Sequence, residues 1–394
     1  MSKRYPSGFV SAFYDPLKNP DAPTIGTATG GDTSASVPFT APSNVGGSAI
    51  SSYVALSTPD RISATNATSP ISVTGLTNGT PYTFQVWALN TYGPSAFSAS
   101  SNSVTPAVLN RGFWIGGNSN VIQYIEIATT GNSSDFGDLI TSMNYGSACG
   151  STTRIVTAVG TAIEYFSVAT LGNASSFGSL GFSISDGAAC NSATRGVFGG
   201  GYGSPFSTAA MHYVTIATTG NSTTFGNLSQ SRSDLAACSS STRGIFGGGI
   251  IDSGGFVRVN TIDYITIAST GNATDFGDLT LARGGLASCS SSTRGIFAGG
   301  DAPSSYSNVI DYITIGSTGN ATDFGDLTLA RYDVSGCSNA TLGVFGGGAA
   351  SSGNSNIIDY ITIASTSNAT DFGDLTVDSG QGITSASNSN GGTQ

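Results

Sequence analysis

Enzymes and metal centres draw on side chains that move protons, attack carbonyls or ligate ions, and this 394-residue chain holds few of them. There is one histidine, His212, and there are five cysteines, Cys149, Cys190, Cys238, Cys289 and Cys337. The cysteines recur at wide intervals and never in the close pairs that ligate zinc. Their number is odd, and equivalent residues of successive structural units lie beyond disulfide reach, so they read as buried free thiols. An Asp-Phe-Gly-Asp element recurs at Asp135/Asp138, Asp275/Asp278, Asp323/Asp326 and Asp371/Asp374. Paired carboxylates can bind calcium or act as acid and base. Ser176/Ser179 and Thr224/Asn227 fill the same places in two further copies, a variation that solvated turn residues tolerate. The expectation is a protein that is not an enzyme, with no catalytic residue, metal or cofactor.

Composition narrows the partners. With 13 Lys and Arg against 23 Asp and Glu the net charge is −10, and the cations are scattered. A phosphate-binding footprint is therefore not expected, nor nucleic acid. No apolar run of about 18 residues is present, so no membrane insertion is expected, and the opening Met1–Val10 has no apolar core of an export signal. With 55 glycines, 38% hydrophobic residues and only 9% charged ones, the chain suits many short strands joined by tight turns.

The candidate residues must be positioned by a repeat. Six copies align on Tyr124, Tyr165, Tyr213, Tyr264, Tyr312 and Tyr360. Twelve residues later in every copy stands Phe136, Phe177, Phe225, Phe276, Phe324 or Phe372. Eighteen residues after the first five phenylalanines a second apolar strand opens, at Arg154, Arg195, Arg243, Arg294 and Leu342, and Arg111 opens the matching strand before Tyr124. From each of these starts to the next tyrosine the interval is 13, 11, 18, 21, 18 or 18 residues, so length varies in one loop per copy. Four strand-like segments per unit, bounded by residues that favour turns, predict a repeat array of propeller or related type. The first copy begins at its second strand. Counting 13 from Phe372 places Ser385 in the cysteine slot, so 382–387 is expected to supply the missing strand and close the ring, which removes exposed edges.

Gly299-Gly300, Tyr312, Phe324, Leu327 and Arg331 fill slots in which the repeat resembles the kelch repeat, over residues 111–388. Residues 20–107 are similar to a fibronectin type III domain: Leu76 to Tyr82 matches its tyrosine corner, Thr83 to Asn90 the following strand, and Ile50 to Tyr53 an earlier one. The resemblance implies an all-β chain: an N-terminal arm, 1–19, a fibronectin type III-like sandwich, 20–107, and a six-bladed kelch-like β-propeller, 108–394, closed by its C-terminal strand. Kelch propellers that are copper oxidases need histidine and tyrosine ligands, which this chain does not supply. His212 occupies a slot held elsewhere by Asp263, Asp311 and Asp359, and is expected at a strand surface.

Binding residues concentrate on variable loops of rigid scaffolds. The loops of varying length carry Tyr202, Phe206, Phe256, Arg258 and Tyr306, and Arg232, Arg283 and Arg331 follow their phenylalanines by seven residues near the same face. These eight form the candidate recognition surface. Lys3, Arg4, Phe9, Phe13 and Tyr14 are candidates for an anchoring arm that orders on docking. Adhesion-type modules in a chain without an export signal resemble phage virion proteins, made in host cytoplasm and exposed on the particle surface in multiple copies. The expected function is a non-enzymatic virion structural protein of tail-fibre, receptor-binding type. It would meet other virion proteins through the arm or the sandwich, and a host-surface glycan or protein through the propeller loops. The alternatives are a capsid or tail decoration protein and a secreted carbohydrate-binding or carbohydrate-active protein.

Overall fold

A computed structural model describes residues 17–107, 110–203, 206–252, 255–376 and 381–393. All regular structure among them is β. The chain divides into two compact units, Met1–Leu109 and Asn110–Gln394.

In the smaller unit a three-stranded sheet (Thr29–Gly31, Ser34–Val37, Ile71–Thr74) and a four-stranded one (Ser63–Asn66, Ser52–Thr58, Thr83–Asn90, Gly93–Pro94) enclose one core. Alternation dictates which side chains enter it: along Thr83–Asn90 every second residue is buried, so Phe84, Val86 and Ala88 face inward. Tyr82 is buried; its hydroxyl accepts the Thr77 N–H at 3.1 Å and donates to Asp60 Oδ2 at 2.7 Å. Lys18 and Asn19, assigned by sequence to the arm, are bonded into this unit through Gly46, Asn90 and Pro94. The anchoring candidates Lys3, Arg4, Phe9, Phe13 and Tyr14 lie outside the described residues.

Among the described residues the larger unit holds six repeat sheets, one per sequence copy and all antiparallel, together with three two-stranded hairpins. Sheet four is representative: Ala236–Ser239, Arg243–Gly247, Thr261–Thr266 and Thr274–Asp278 lie side by side in chain order. Sheets three, five and six repeat it. In sheet two the second and third strands are one continuous strand, Arg154–Ser167. Sheet one takes its first strand from the far end of the chain: Ile383–Ser387 pairs with Arg111–Gly116. The first strands touch in a closed succession, from Ile383–Ser387 through Ser147–Gly150, Ala188–Asn191, Ala236–Ser239, Ala287–Ser290 and Ser335–Ser338 back to the start.

Equivalent contacts join neighbouring sheets. Each cysteine, on a first strand, packs against a glycine on the second strand of the next sheet: a Cβ at Gly112, Gly196, Gly244, Gly295 or Gly343 would lie 2.3–2.8 Å from the facing Sγ. Only glycine fits beside these buried thiols. At the sixth junction the volumes are exchanged, with Ala386 in the cysteine slot and Ile155 in the glycine slot, packed in one cluster. The slot of Cys190, which pairs with Val197, is thus filled in sheet one by Ala386, which pairs with Phe113. The sequence expectation of Ser385 is one residue short, because the last connection carries one residue more.

Serines bind the free edges of the first strands. Ser338 Oγ accepts the Ser290 N–H at 3.2 Å and donates to Ser290 O at 2.8 Å; Ser290 does the same for Ser239, and Ser387 for Ser338. Replacing the fully buried Ser338 with Ala would orphan the Ser290 N–H and leave Ser290 O with the Gly391 N–H as its remaining donor, at a site water does not reach. A loss of about 1–3 kcal/mol is expected, read as a lower thermal midpoint by calorimetry.

Candidate functional site

The residues singled out on the long loops separate into three groups. Tyr202, Phe206 and Phe256 are exposed at 39, 60 and 68%. They sit on two short hairpins, Tyr202–Gly203 with Phe206–Ser207 and Ile250–Asp252 with Phe256–Arg258. Arg258 and Tyr306 are half-buried and engaged: Arg258 pairs with Asp301, and Tyr306 packs on Tyr332 with ring centres 4.5 Å apart.

Arg232, Arg283 and Arg331 are a correction to the sequence reading, because all three are fully buried and take no part in an exposed surface. Each runs from the connection entering a sheet to that sheet's third strand. Arg232 pairs with Asp263 and Arg283 with Asp311, both at 2.9 Å, and Arg331 with Asp359 at 2.5 Å. Their terminal amino groups also reach backbone carbonyls, as from Arg283 to Val309 O and Phe297 O, while the buried Nε–H of each has no partner. Burial pulls these guanidinium pKa values down, and the paired carboxylate opposes it. The aspartate slot is consequently interior, not strand surface. In the same slot Glu164 accepts the backbone N–H groups of Ile140 and Thr141. His212 is half-buried, 3.1 Å from Ser222 Oγ, with its pKa lowered by burial.

The Asp-Phe-Gly-Asp elements also join sheets. In each copy the N–H of the residue at the second Asp position donates to an asparagine of the next sheet's turn, as Asp278 N–H does to Asn320 Oδ1 at 3.1 Å. The five cysteines are free and buried, and burial pushes the Cys149 and Cys238 thiols up to about 12. Such thiols are poor nucleophiles. Among the described residues no three His, Cys, Asp or Glu side chains converge to hold a metal ion.

The cluster the sequence reading missed lies where the first strands begin. A cavity of about 140 Å³ runs between the six first strands. Around its mouth Tyr145, Asp186, Asp234, Gly285, Asp333 and Gly382 occupy one repeat position, all with left-handed backbone at φ 53–72°. Asp tolerates this region better than most residues and Gly adopts it freely, which was the available sequence signal. In five of the six copies the left-handed turn aims the N–H at the preceding copy. Tyr145 donates to Gly382 O, Asp186 to Tyr145 O, Asp234 to Asp186 O, Gly285 to Asp234 O and Asp333 to Gly285 O, at 2.7–2.9 Å. The result is a collar of linked backbone with three half-buried carboxylates. At the opposite ends of the strands residues 388–393 pack inward: Asn390 exchanges amide bonds with Asn191, and Gly391 N–H donates to Ser290 O.

Desolvation and mutual repulsion raise the collar carboxyls. Asp186 is pushed up to about 7, by burial and then by Asp234, and Asp333 to about 8, by burial and then by Asp234, Asp186 and Asp301. Asp234 is raised by burial, against a hydrogen bond from Ser233. A carboxyl at 3.8 when unfolded and about 8 when folded keeps its proton only in the folded chain across that interval. Stability therefore falls as pH rises from about 4 to about 8. Asn fits the left-handed backbone and cannot ionise. D333N is expected to match the parent near pH 4 and to exceed it by about 1–3 kcal/mol at pH 8, after allowance for partial solvent screening. Denaturant unfolding at both pH values checks this.

No protein-family model matches the chain, and no curated protein matches it.

Proposed function

We propose that this is a non-enzymatic binding protein whose larger unit is a six-bladed kelch-like propeller and whose smaller unit is a fibronectin type III-like sandwich. Six equivalent sheets, first strands in closed succession and a sheet completed from both ends of the unit support the propeller reading. The buried Tyr82 hydroxyl reaching back to Thr77 supports the sandwich. The observation that carries the function is the exposure of Phe206 and Phe256 on hairpin tips, while the repeat phenylalanines of all six sheets are buried. Rigid aromatics held out on short hairpins make good binding anchors. In context we assign the protein to the surface of a phage particle, as a tail-fibre or receptor-binding component.

Retention of fluorescently labelled protein on host bacteria tests this. F206A/F256A is expected to lower retention at least tenfold with an unchanged melting curve; unchanged retention overturns the assignment of this face. The number of copies per purified particle separates a fibre from a decoration protein, which would be present in many tens. Hydrolysis of any member of a glycan panel would overturn the non-enzymatic reading.

A further inference from the structure

The hairpins and the collar form one surface. Tyr202 N–H donates to Ser185 O, beside Asp186, at 2.6 Å, and Ile250 and Ser233, beside Asp234, exchange N–H to O bonds at 2.8 and 3.0 Å. The two hairpins touch each other, so exposed aromatic tips lead directly into the collar. The charges there are one-sided: Asp186, Asp234, Asp252, Asp301 and Asp333 stand against Arg258, which is committed to Asp301. Arg232 lies beneath, paired with Asp263, and Tyr145 and Tyr332, both bonded to Gln381, are neutral.

We propose that this face docks a partner polypeptide segment that inserts a lysine or arginine side chain into the collar between apolar residues seated on Phe206 and Phe256. The apolar rim would bury against its like, and the acidic floor selects the sign of the inserted charge. A long cationic side chain suits carboxylates that do not converge tightly enough for a metal ion. Because the collar retains protons near neutrality, an entering cation displaces them to solvent, so docking strengthens as pH rises. This inference rests on the reading of the face as a recognition surface.

Three peptides test it against the whole chain by titration calorimetry: acetyl-Phe-Xaa-Phe-amide with lysine, norleucine or glutamate at Xaa. The lysine peptide is expected to bind at least tenfold more tightly than the norleucine peptide at pH 8.5, and by a smaller margin at pH 6. Its heat should depend on the ionisation enthalpy of the buffer, reporting released protons. D234N/D333N should abolish the lysine advantage and leave norleucine binding unchanged, and its melting curve verifies folding. Equal binding of lysine and norleucine, preference for glutamate, no binding of any peptide, or a lysine advantage that survives in the variant would each overturn the cationic partner. If cell retention still depends on Phe206 and Phe256 in that event, the recognition reading stands and only the partner class falls.

Discussion

Removing residues 383–394 is expected to lower the thermal midpoint by about 10–20 °C and to make the chain self-associate. The deletion strips five paired residues, Gly112 with Ser387 through Gly116 with Ile383, from the edge of sheet one. It also removes the buried Ile383 and Ala386 and exposes the first-strand edges of Ser335–Ser338 and Ser147–Gly150, which Ile383–Ser387 covers. Lost ladder hydrogen bonds at about 1 kcal/mol each and an uncovered isoleucine at about 1.5–3 kcal/mol reach roughly 5 kcal/mol. In a unit of this size each kcal/mol moves the midpoint by about 2–4 °C. The open edges supply the template for self-association. Deleting only 388–394 separates strand from tail: it keeps the pairing and removes the residues packed on Asn191 and Ser290, so a shift well under half as large is expected. Calorimetry and light scattering check both; a shorter deletion as damaging as the longer one would move the stabilising role to the tail.

That closure was legible because spacing fixes register. Twelve residues from Tyr264 to Phe276 span a third strand, a tight turn and the start of a fourth, and any change would slip side chains to the wrong face. The same logic missed by one residue at Ser385, where the connection after Phe372 lengthens and only pairing to Phe113 identifies Ala386. The arginines were misplaced for a different reason. Arg232, Arg283 and Arg331 lie on connections, where a charged residue ordinarily faces water, and nothing local to them announces burial. The signal was non-local: in each case Asp263, Asp311 or Asp359 follows in the next copy, whereas Met143 and Ile184 precede Glu164 and His212. The collar was missed because its members differ in type, Tyr145, three aspartates and two glycines, and share only a backbone conformation.

The buried pairs carry the other large expected effect, and the repeat supplies its control. D311A leaves the Arg283 guanidinium in an interior site with no carboxylate, so a loss of about 3–5 kcal/mol is expected, together with loss of the acceptor for Thr280 Oγ1 and N–H. The charge, not the shape of the site, is the source of this cost. In the junction between sheets one and two, Met143 occupies the arginine slot, buried, with its Sδ accepting from Thr157. R283M/D311N removes both charges and keeps an acceptor for Thr280. It is expected to recover most of the loss and to lie within about 1–2 kcal/mol of the parent, since well-packed neutral replacements of buried ion pairs are often close to neutral. Equilibrium unfolding in urea of the parent, D311N, R283M and the double variant closes the cycle, with D311A measured beside them. A double variant as unstable as D311A would mean that Arg283 acts through its bonds to Val309 O and Phe297 O, holding the entering connection against the sheet, and not through its pairing with Asp311.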